Sequence, residues 1–251
     1  MLTTILSKII IALIILILLI LITGRRIFQY KAYIGIFFLL YFADNILIVI
    51  SIQYRSLQLI PLHTWEGFLN SNWSGKLYSI IFTLGLLYFT RRLLTFEEAG
   101  INLRQQRGSI LPSLIVVLAL AGWATVIGIN SPKGSFDAET LLYLAIMPGL
   151  NEELVYRGGL LGSLNRILPG RINFLGARLG WGTLVISVLF GLLHGFWLDN
   201  TYSVHMDIIA LENSFVSGFI FAWLKERTGS LVVPIIAHGL EDFLFFLPRM
   251  I

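Results

Sequence analysis

The sequence predicts an all-α fold, a polytopic transmembrane helix bundle of about eight spans. Of the 251 residues, 57% are hydrophobic and 13% are charged, whereas a soluble domain carries about 45–50% apolar and about 25% charged residues. The mean hydropathy is +0.83. A chain with so few charges cannot cover a water-facing surface. The composition therefore excludes a two-domain soluble enzyme, a nucleic-acid-binding protein and a disordered chain.

Apolar runs long enough to cross a bilayer recur along the chain. A spanning helix needs about 20 mostly apolar residues, and the N-terminal run is too long for the core of a cleaved signal peptide, so we expect it to be kept as the first span. The third candidate is the weakest, because its uncharged stretch is short, and we expect Lys76 and Arg91 to snorkel to the interface. The eight candidates are Leu2–Ile22, Ala32–Ile52, Lys76–Leu94, Ile110–Ile129, Glu139–Leu161, Gly182–Leu198, Ile208–Leu224 and Leu231–Leu247.

The basic residues follow the alternation of the predicted loops. Twelve Lys and Arg lie on one side and five on the other. Loops rich in Lys and Arg stay in the cytoplasm, so both termini are expected on the non-cytoplasmic side. The net charge of +4 is thereby explained by membrane topology. The twelve are Arg25, Arg26, Lys31, Arg91, Arg92, Arg104, Arg107, Arg166, Arg171, Arg178, Lys225 and Arg227.

One long polar connection, Arg91–Ser109, divides the chain loosely into two parts. Residues 1–109 are predicted to form N-terminal transmembrane helices and this polar loop, and residues 110–251 a core in which the polar residues gather. The chain has no cysteine. This excludes a disulfide framework, a thiolate metal site and a cysteine nucleophile.

Three spans of the second part carry ionisable side chains well inside their apolar runs. Each charged side chain at the bilayer centre costs roughly 2.5–3.5 kcal/mol, so these groups are expected to face one another or a hydrated cavity. Ionisable residues inside a membrane indicate a functional site by default. They are Glu152, Glu153 and Arg157 in the fifth span, His194 in the sixth, and His238, Glu241 and Asp242 in the eighth.

Helical spacing assigns different surroundings to the two adjacent carboxylates. Glu153 and Arg157 are four residues apart and can pair across one turn. Glu152 is rotated by about 100° from Glu153 and is expected to be free to point elsewhere. A buried carboxylate can take a proton from water, and imidazole N–H groups can hold a developing oxyanion. We therefore predict that the three spans meet around one cavity that contains Glu152, His194 and His238.

Three motifs in this order resemble the CPBP family, which includes type II CAAX prenyl endopeptidases and bacteriocin-processing or Abi-type relatives. They are Glu-Glu-x-x-x-Arg at 152–157, Phe-x-x-x-His at 190–194 and His-x-x-x-Asp at 238–242. The resemblance covers roughly Leu141 to Phe246. It implies a glutamate-type intramembrane endopeptidase of about eight helices that uses no metal or other cofactor.

The resemblance also implies roles for individual residues. By this likeness Glu152 activates water, His194 helps to position that water, and His238 donates to the oxyanion. Asp242 stands where the family usually has Asn. An amide can donate a hydrogen bond, whereas an ionised carboxylate only accepts, so Asp242 is expected to orient His238 by accepting from its ring. Glu153, Arg157 and Phe190 are the residues implied to support the site.

The family likeness implies partners and a location as well. The substrate would be a peptide or a membrane protein, with or without a prenyl group, and no nucleic acid would be bound. The chain would be an integral protein of a lipid bilayer, in the plasma membrane of a prokaryote.

Three other functions remain open at this stage. A non-catalytic membrane binding or bacteriocin-immunity protein of the same fold would use the polar pocket without turnover. A zinc site could be built from two His and two Glu, although no His-Glu-x-x-His motif is present. A proton-relay transporter is disfavoured because the chain shows no inverted repeat.

Other polar residues have simpler expected roles. His63 and His205 are predicted to be solvated surface histidines. Glu212 and Asn213 are equally expected to line the cavity or to make structural hydrogen bonds. Asp44 is a polar break in the second span to which the sequence assigns no role.

Overall fold

The structure is a computed structural model that describes residues 2–67 and 69–251, and it is predominantly helical. Within these residues, α5 continues through a π-helical segment, Glu153–Leu160, into α6, so the helical path is unbroken from residue 138 to residue 167. The α-helices are α1 (Leu2–Thr23), α2 (Lys31–Gln53), α3 (Trp73–Phe89), α4 (Ile110–Ile129), α5 (Ala138–Glu152), α6 (Leu161–Ile167), α7 (Trp181–Gly195), α8 (Ile208–Thr228) and α9 (Val232–Phe246).

Three antiparallel hairpins in the connections add to the predicted all-α fold. The residue pairs His63–Ser71, Arg171–Gly180 and Phe196–Met206 face each other across them. Strands of three or four residues show too little alternation for a hydrophobic pattern to separate them from a loop. The strands are β1 (His63–Trp65), β2 (Leu69–Ser71), β3 (Arg171–Phe174), β4 (Ala177–Gly180), β5 (Phe196–Leu198) and β6 (Val204–Met206).

Each of the eight predicted spans overlaps a helix, but fewer helices are long and apolar enough to cross a membrane. Three stretches meet that requirement within the described residues: Leu2–Gln53, which joins α1 and α2 through a 3-10 turn, Ile110–Ile129 and Ile208–Thr228. Helix α7 is apolar but shorter. It ends at Gly195, before the predicted Leu198, because the chain turns there into β5. The number of eight spans stays a prediction.

The N-terminal helices and the second part share an apolar core. One cluster of buried side chains combines Leu19 of α1, Phe37 of α2, Leu160 of the π-helical segment and Ile186 of α7. Because these side chains are buried together, α1, α2, α7 and the π-helical segment share one apolar core.

Two glycines set the distance between α5 and α9. A Cβ atom on Gly149 would lie 2.6 Å from the carbonyl oxygen of Ile235, and one on Gly239 would collide with the carbonyl oxygen of Ala145. Small residues let helix backbones approach closely. The contact places the start of the π-helical segment beside His238.

Candidate active site

The two adjacent carboxylates lie where α5 passes into the π-helical segment. Glu152 is the last residue of α5, and Glu153 is the first of the wider turn. Such turns are rare and are found frequently at functional sites. As predicted from their angular separation, the two side chains reach different helices, Glu152 towards α3 and Glu153 towards α9.

Glu153 joins α5 to α9 through a single oxygen. Its Oε1 accepts from Arg157 Nη1 at 2.9 Å, which is the predicted pair across one turn, and from His238 Nδ1 at 2.8 Å. Arg157 Nη2 also donates to the carbonyl oxygen of Gly218 at 3.1 Å. Glu153 and Arg157 are both fully buried. This cluster therefore fixes α5, α8 and α9 together at the level of the carboxylates.

Aromatic rings surround the buried guanidinium. The Cζ atom of Arg157 lies 4.3 Å from the ring centre of Phe190 and 5.2 Å from that of Phe221, within the range of a cation–π interaction. Phe190 also contacts His194, with ring centres 4.6 Å apart, and lies 6.0 Å from the ring of His238. Phe190 thus connects the two imidazoles.

One hydrogen bond determines which ring nitrogen of His194 carries the hydrogen. Nδ1 lies 2.8 Å from the carbonyl oxygen of Phe190. A carbonyl oxygen only accepts, so Nδ1 carries the hydrogen, and in the neutral ring Nε2 is an acceptor. His194 is exposed at the end of α7. Among the described residues no hydrogen bond involves Nε2, which leaves this nitrogen available to accept from a water molecule.

Asp242 does not orient His238 in the expected way. Its Oδ2 lies 3.8 Å from Nε2 of His238, which is longer than a hydrogen bond. Asp242 is thus within ion-pair distance of the ring but makes no hydrogen bond to it, whereas Glu153 of the π-helical segment binds the opposite nitrogen, Nδ1, at 2.8 Å. A spacing of four residues placed Asp242 on the right face of α9 but could not show the partner from another helix.

Glu152 points away from Glu153 as expected, but it has a charged partner that the sequence did not predict. Its Oε1 accepts from Nζ of Lys76 at 2.6 Å, and the two side chains are 16% and 10% exposed. Lys76 consequently does not snorkel to the interface as predicted. Glu152 adjoins Glu153, which binds His238, and Phe190 contacts the ring of His194 and lies 6.0 Å from that of His238. These contacts bring Glu152 and both imidazoles into one cluster.

Sequence reasoning missed a second group of polar side chains beside this cluster. Oδ1 of Asp44 accepts from Ser79 Oγ at 2.6 Å and from Asn151 Nδ2 at 3.3 Å. The hydroxyl of Tyr156 lies 3.4 Å from the other oxygen. The one indication in the sequence was Asp44 itself, an acid in the middle of the apolar second span. A buried acid needs hydrogen-bond donors, which neighbouring helices must supply.

Several candidates lie outside the cluster. His63 and His205, predicted at the surface, are partly exposed and pair with Asp137 at 2.6 Å and Asp199 at 2.7 Å. Glu212 and Asn213 are exposed, and no described hydrogen bond joins them to the cluster. Within residues 2–67 and 69–251, no three His, Asp or Glu side chains are grouped so that they could hold a metal ion.

A comparison with protein-family models matches part of the chain. Neither the curated proteins nor the solved structures contain a match to the chain. Residues 135–244 match the family model described as Type II CAAX prenyl endopeptidase Rce1-like. The matched range contains all three motifs and confirms the predicted resemblance, whereas Lys76 and Asp44 lie outside it. Residues 135–244 are therefore similar to the Rce1-like type II CAAX prenyl endopeptidases, which belong to the CPBP family.

Proposed function

We propose that this protein is an intramembrane endopeptidase that hydrolyses a peptide bond with a water molecule activated by Glu152. The observation that carries the proposal is that three helices bring Glu152, beside the Glu153–His238 contact, to two imidazoles that Phe190 connects. The match to a protease family supports a peptide substrate and a membrane setting.

The attack on the peptide bond uses the free oxygen of Glu152. Oε1 is bound to Lys76, so Oε2 takes a proton from water while Nε2 of His194 accepts the other hydrogen and orients the molecule. The water oxygen bonds to the carbonyl carbon, and the C=O π electrons move to the carbonyl oxygen.

The resulting oxyanion is held by His238. Its Nδ1 donates a hydrogen bond to Glu153, so only Nε2 can face the substrate. Nε2 can donate to the oxyanion only when both ring nitrogens are protonated. When the intermediate collapses, the C–N bond breaks and the proton on Glu152 passes to the leaving amine. One oxyanion-hole donor contributes about 10²–10³-fold to the rate.

The substrate and the setting follow from the family. We propose a peptide or membrane-protein substrate, with or without a prenyl group, in the plasma membrane of a prokaryote. The positive loops support an orientation with both termini on the non-cytoplasmic side.

Cleavage by the purified protein in lipid nanodiscs tests this proposal. Two peptides with the same C-terminal sequence, one with a prenylated cysteine and one without, are incubated with the protein, and the products are identified by mass spectrometry. We expect hydrolysis that a chelator does not inhibit. Glu152→Gln should lower kcat by roughly 10²–10⁴-fold, the usual contribution of a general base.

Glu241→Gln is the matched control for this experiment. Glu241 is a neighbouring carboxyl on α9 that accepts from Ser217 Oγ at 2.6 Å, and glutamine preserves that acceptor. We expect wild-type cleavage from this variant. Equal cleavage by Glu152→Gln and the wild type would contradict the proposed mechanism, and loss of activity with a chelator would favour the zinc alternative.

One observation favours the binding or immunity protein as a second candidate. Asp242 lies 3.8 Å from Nε2 of His238, at the position where the family usually supplies an amide donor. A non-catalytic protein would bind peptide without releasing products, and peptide binding would persist in Glu152→Gln.

A further inference from the structure

The partner of Glu152 comes from outside the segment that matches the family. Lys76 lies in the first turn of α3, whereas the matched range begins at residue 135. Its Nζ is 2.6 Å from Oε1 of Glu152. Removing two ions from water costs several kcal/mol each unless they pair well. This well-paired contact therefore joins α3 of the N-terminal part to the end of α5.

The backbone around Lys76 is held by a cap that links α3 to α2. The N–H of Lys76 donates to the carbonyl oxygen of Asn72 at 3.2 Å. The side chain of Asn72 accepts from the N–H of Gly75 at 3.0 Å and donates to Ser51 Oγ of α2 at 2.8 Å. The ammonium of Lys76 thus extends from a fixed helix end.

A second contact fixes the other member of the pair. Asn151, the residue before Glu152, donates through Nδ2 to Ser79 Oγ at 2.9 Å. Ser79 lies three residues after Lys76 and donates to Asp44 of α2 at 2.6 Å. The segments that carry Lys76 and Glu152 are therefore joined by a buried bridge next to the ion pair.

Another buried Lys–Glu pair shows what a purely structural arrangement looks like in this protein. Glu226 accepts through Oε1 from Lys225 at 3.0 Å and Asn165 at 2.8 Å, and through Oε2 from Arg171 at 3.1 Å. Both of its oxygens are occupied. Glu152 differs, because within residues 2–67 and 69–251 its only described hydrogen bond is the one to Oε1.

We propose that Lys76 is a positioning residue that holds Glu152 ionised and oriented through Oε1 and leaves Oε2 free for water. The inference rests on the proposed function for its effect on the rate, and it assigns a part of the site to the N-terminal helices. Lys76 acts through Glu152 and does not bind the substrate.

Steady-state kinetics separate this role from simple stabilisation. Lys76→Met should lower kcat by about 10²-fold, as expected for a misplaced catalytic group, while KM stays within about twofold because substrate contacts are unchanged. Lys76→Arg keeps the positive charge and should recover most of the rate. Lys225→Met, which breaks the structural pair, should lower the melting temperature and leave kcat of the folded protein unchanged.

An infrared measurement tests the inference even where no cleavage is seen. A buried carboxyl that loses its cation takes up a proton, so Lys76→Met should gain a protonated-carboxyl band at neutral pH that disappears when Glu152→Gln is added. Lys76→Arg keeps the cation beside Glu152, and in Lys225→Met Glu226 keeps its pair with Arg171, so both variants should lack that band. Lys76→Met without the band, or with wild-type kcat, would overturn the inference. Absence of wild-type cleavage would instead refute the proposed function.

Discussion

The N-terminal helices and the family-matched segment contribute to the site in different ways. Residues 135–244 contain both imidazoles and both adjacent carboxylates, and their main ion pair, Glu153–Arg157, closes within one helical turn. The N-terminal part contributes Lys76 and Asp44, which reach the site only through tertiary packing. A motif can therefore identify the reacting groups while a partner that controls one of them lies in another region.

The largest expected loss of stability comes from the buried ion pair within the family-matched segment. Arg157→Met leaves Glu153 buried with no guanidinium, and breaking a buried pair in this way costs about 3–5 kcal/mol. Arg171→Met is the control, because Arg171 is 27% exposed in its pair with Glu226 and partly solvated pairs contribute about 1 kcal/mol or less. Unfolding in mixed micelles measures both. Equal losses would contradict the structural role of the Glu153–Arg157 pair.

A smaller effect tests whether the N-terminal part is more than apolar packing. Asp44→Leu removes the acceptor for Ser79 and Asn151, and buried donors left unpaired cost about 1–3 kcal/mol. Asp44→Asn keeps one acceptor oxygen and should lose less. If α2 served only as an apolar surface, Asp44→Leu would be neutral or stabilising in the same unfolding assay.

Asp242 stands where the family usually has Asn, and replacing it by Asn is predicted to increase activity rather than to decrease it. Asp242→Asn introduces an amide that can donate towards the oxyanion, and one additional hydrogen bond contributes about 0.5–1.5 kcal/mol. We therefore expect kcat to increase by about 2–10-fold in the cleavage assay. A decrease would show that the Asp242 carboxylate is needed beside His238, from which it lies 3.8 Å away.

The smallest effect concerns a contact between the two parts outside the predicted spans. Asp137 caps α5 by accepting from the N–H of Thr140 at 2.7 Å, and it pairs with His63 of β1. Burial alone would raise the pKa of Asp137, but hydrogen bonds from Thr140 and His63 lower it below its usual value of 3.8.

Because the folded state binds this proton less tightly, the contribution of Asp137 to stability is complete above pH 3.8. It is lost as the pH falls through the lowered folded value. Asp137→Ala should cost about 1 kcal/mol at neutral pH, the typical cost of removing a cap, and almost nothing in strong acid. Melting curves against pH measure this. A difference that is independent of pH would contradict the role of the carboxylate charge.

The sequence predicted the features that depend on local spacing. The apolar runs located the helices, and the positions of Glu153 and Arg157, four residues apart, predicted an ion pair that the structure contains. The three motifs predicted a family resemblance that the match over residues 135–244 confirms. In each case the signal lies within one helix or in the order of helices along the chain.

The features that the sequence did not predict depend on packing. Lys76 and Glu152 are 76 positions apart, and a lysine near the end of a short apolar run has the same pattern whether it reaches the interface or a buried acid. The π-helical segment begins at Glu153 and is eight residues long. A segment of this length is too short to show its own period in the hydrophobic pattern of the sequence. The partner of His238 likewise depends on the close contact of Gly149 and Gly239.

The most direct measurement compares two isosteric changes at neighbouring positions. Glu152→Gln and Glu153→Gln each remove one negative charge, and kcat and melting temperature are measured for both in the same nanodisc preparation. We expect Glu152→Gln to lower kcat by roughly 10²–10⁴-fold in a folded protein, whereas Glu153→Gln mainly lowers the melting temperature through Arg157 and His238. Retained cleavage in Glu152→Gln, with a folded but inactive Glu153→Gln, would contradict the assignment of Glu152 as the base.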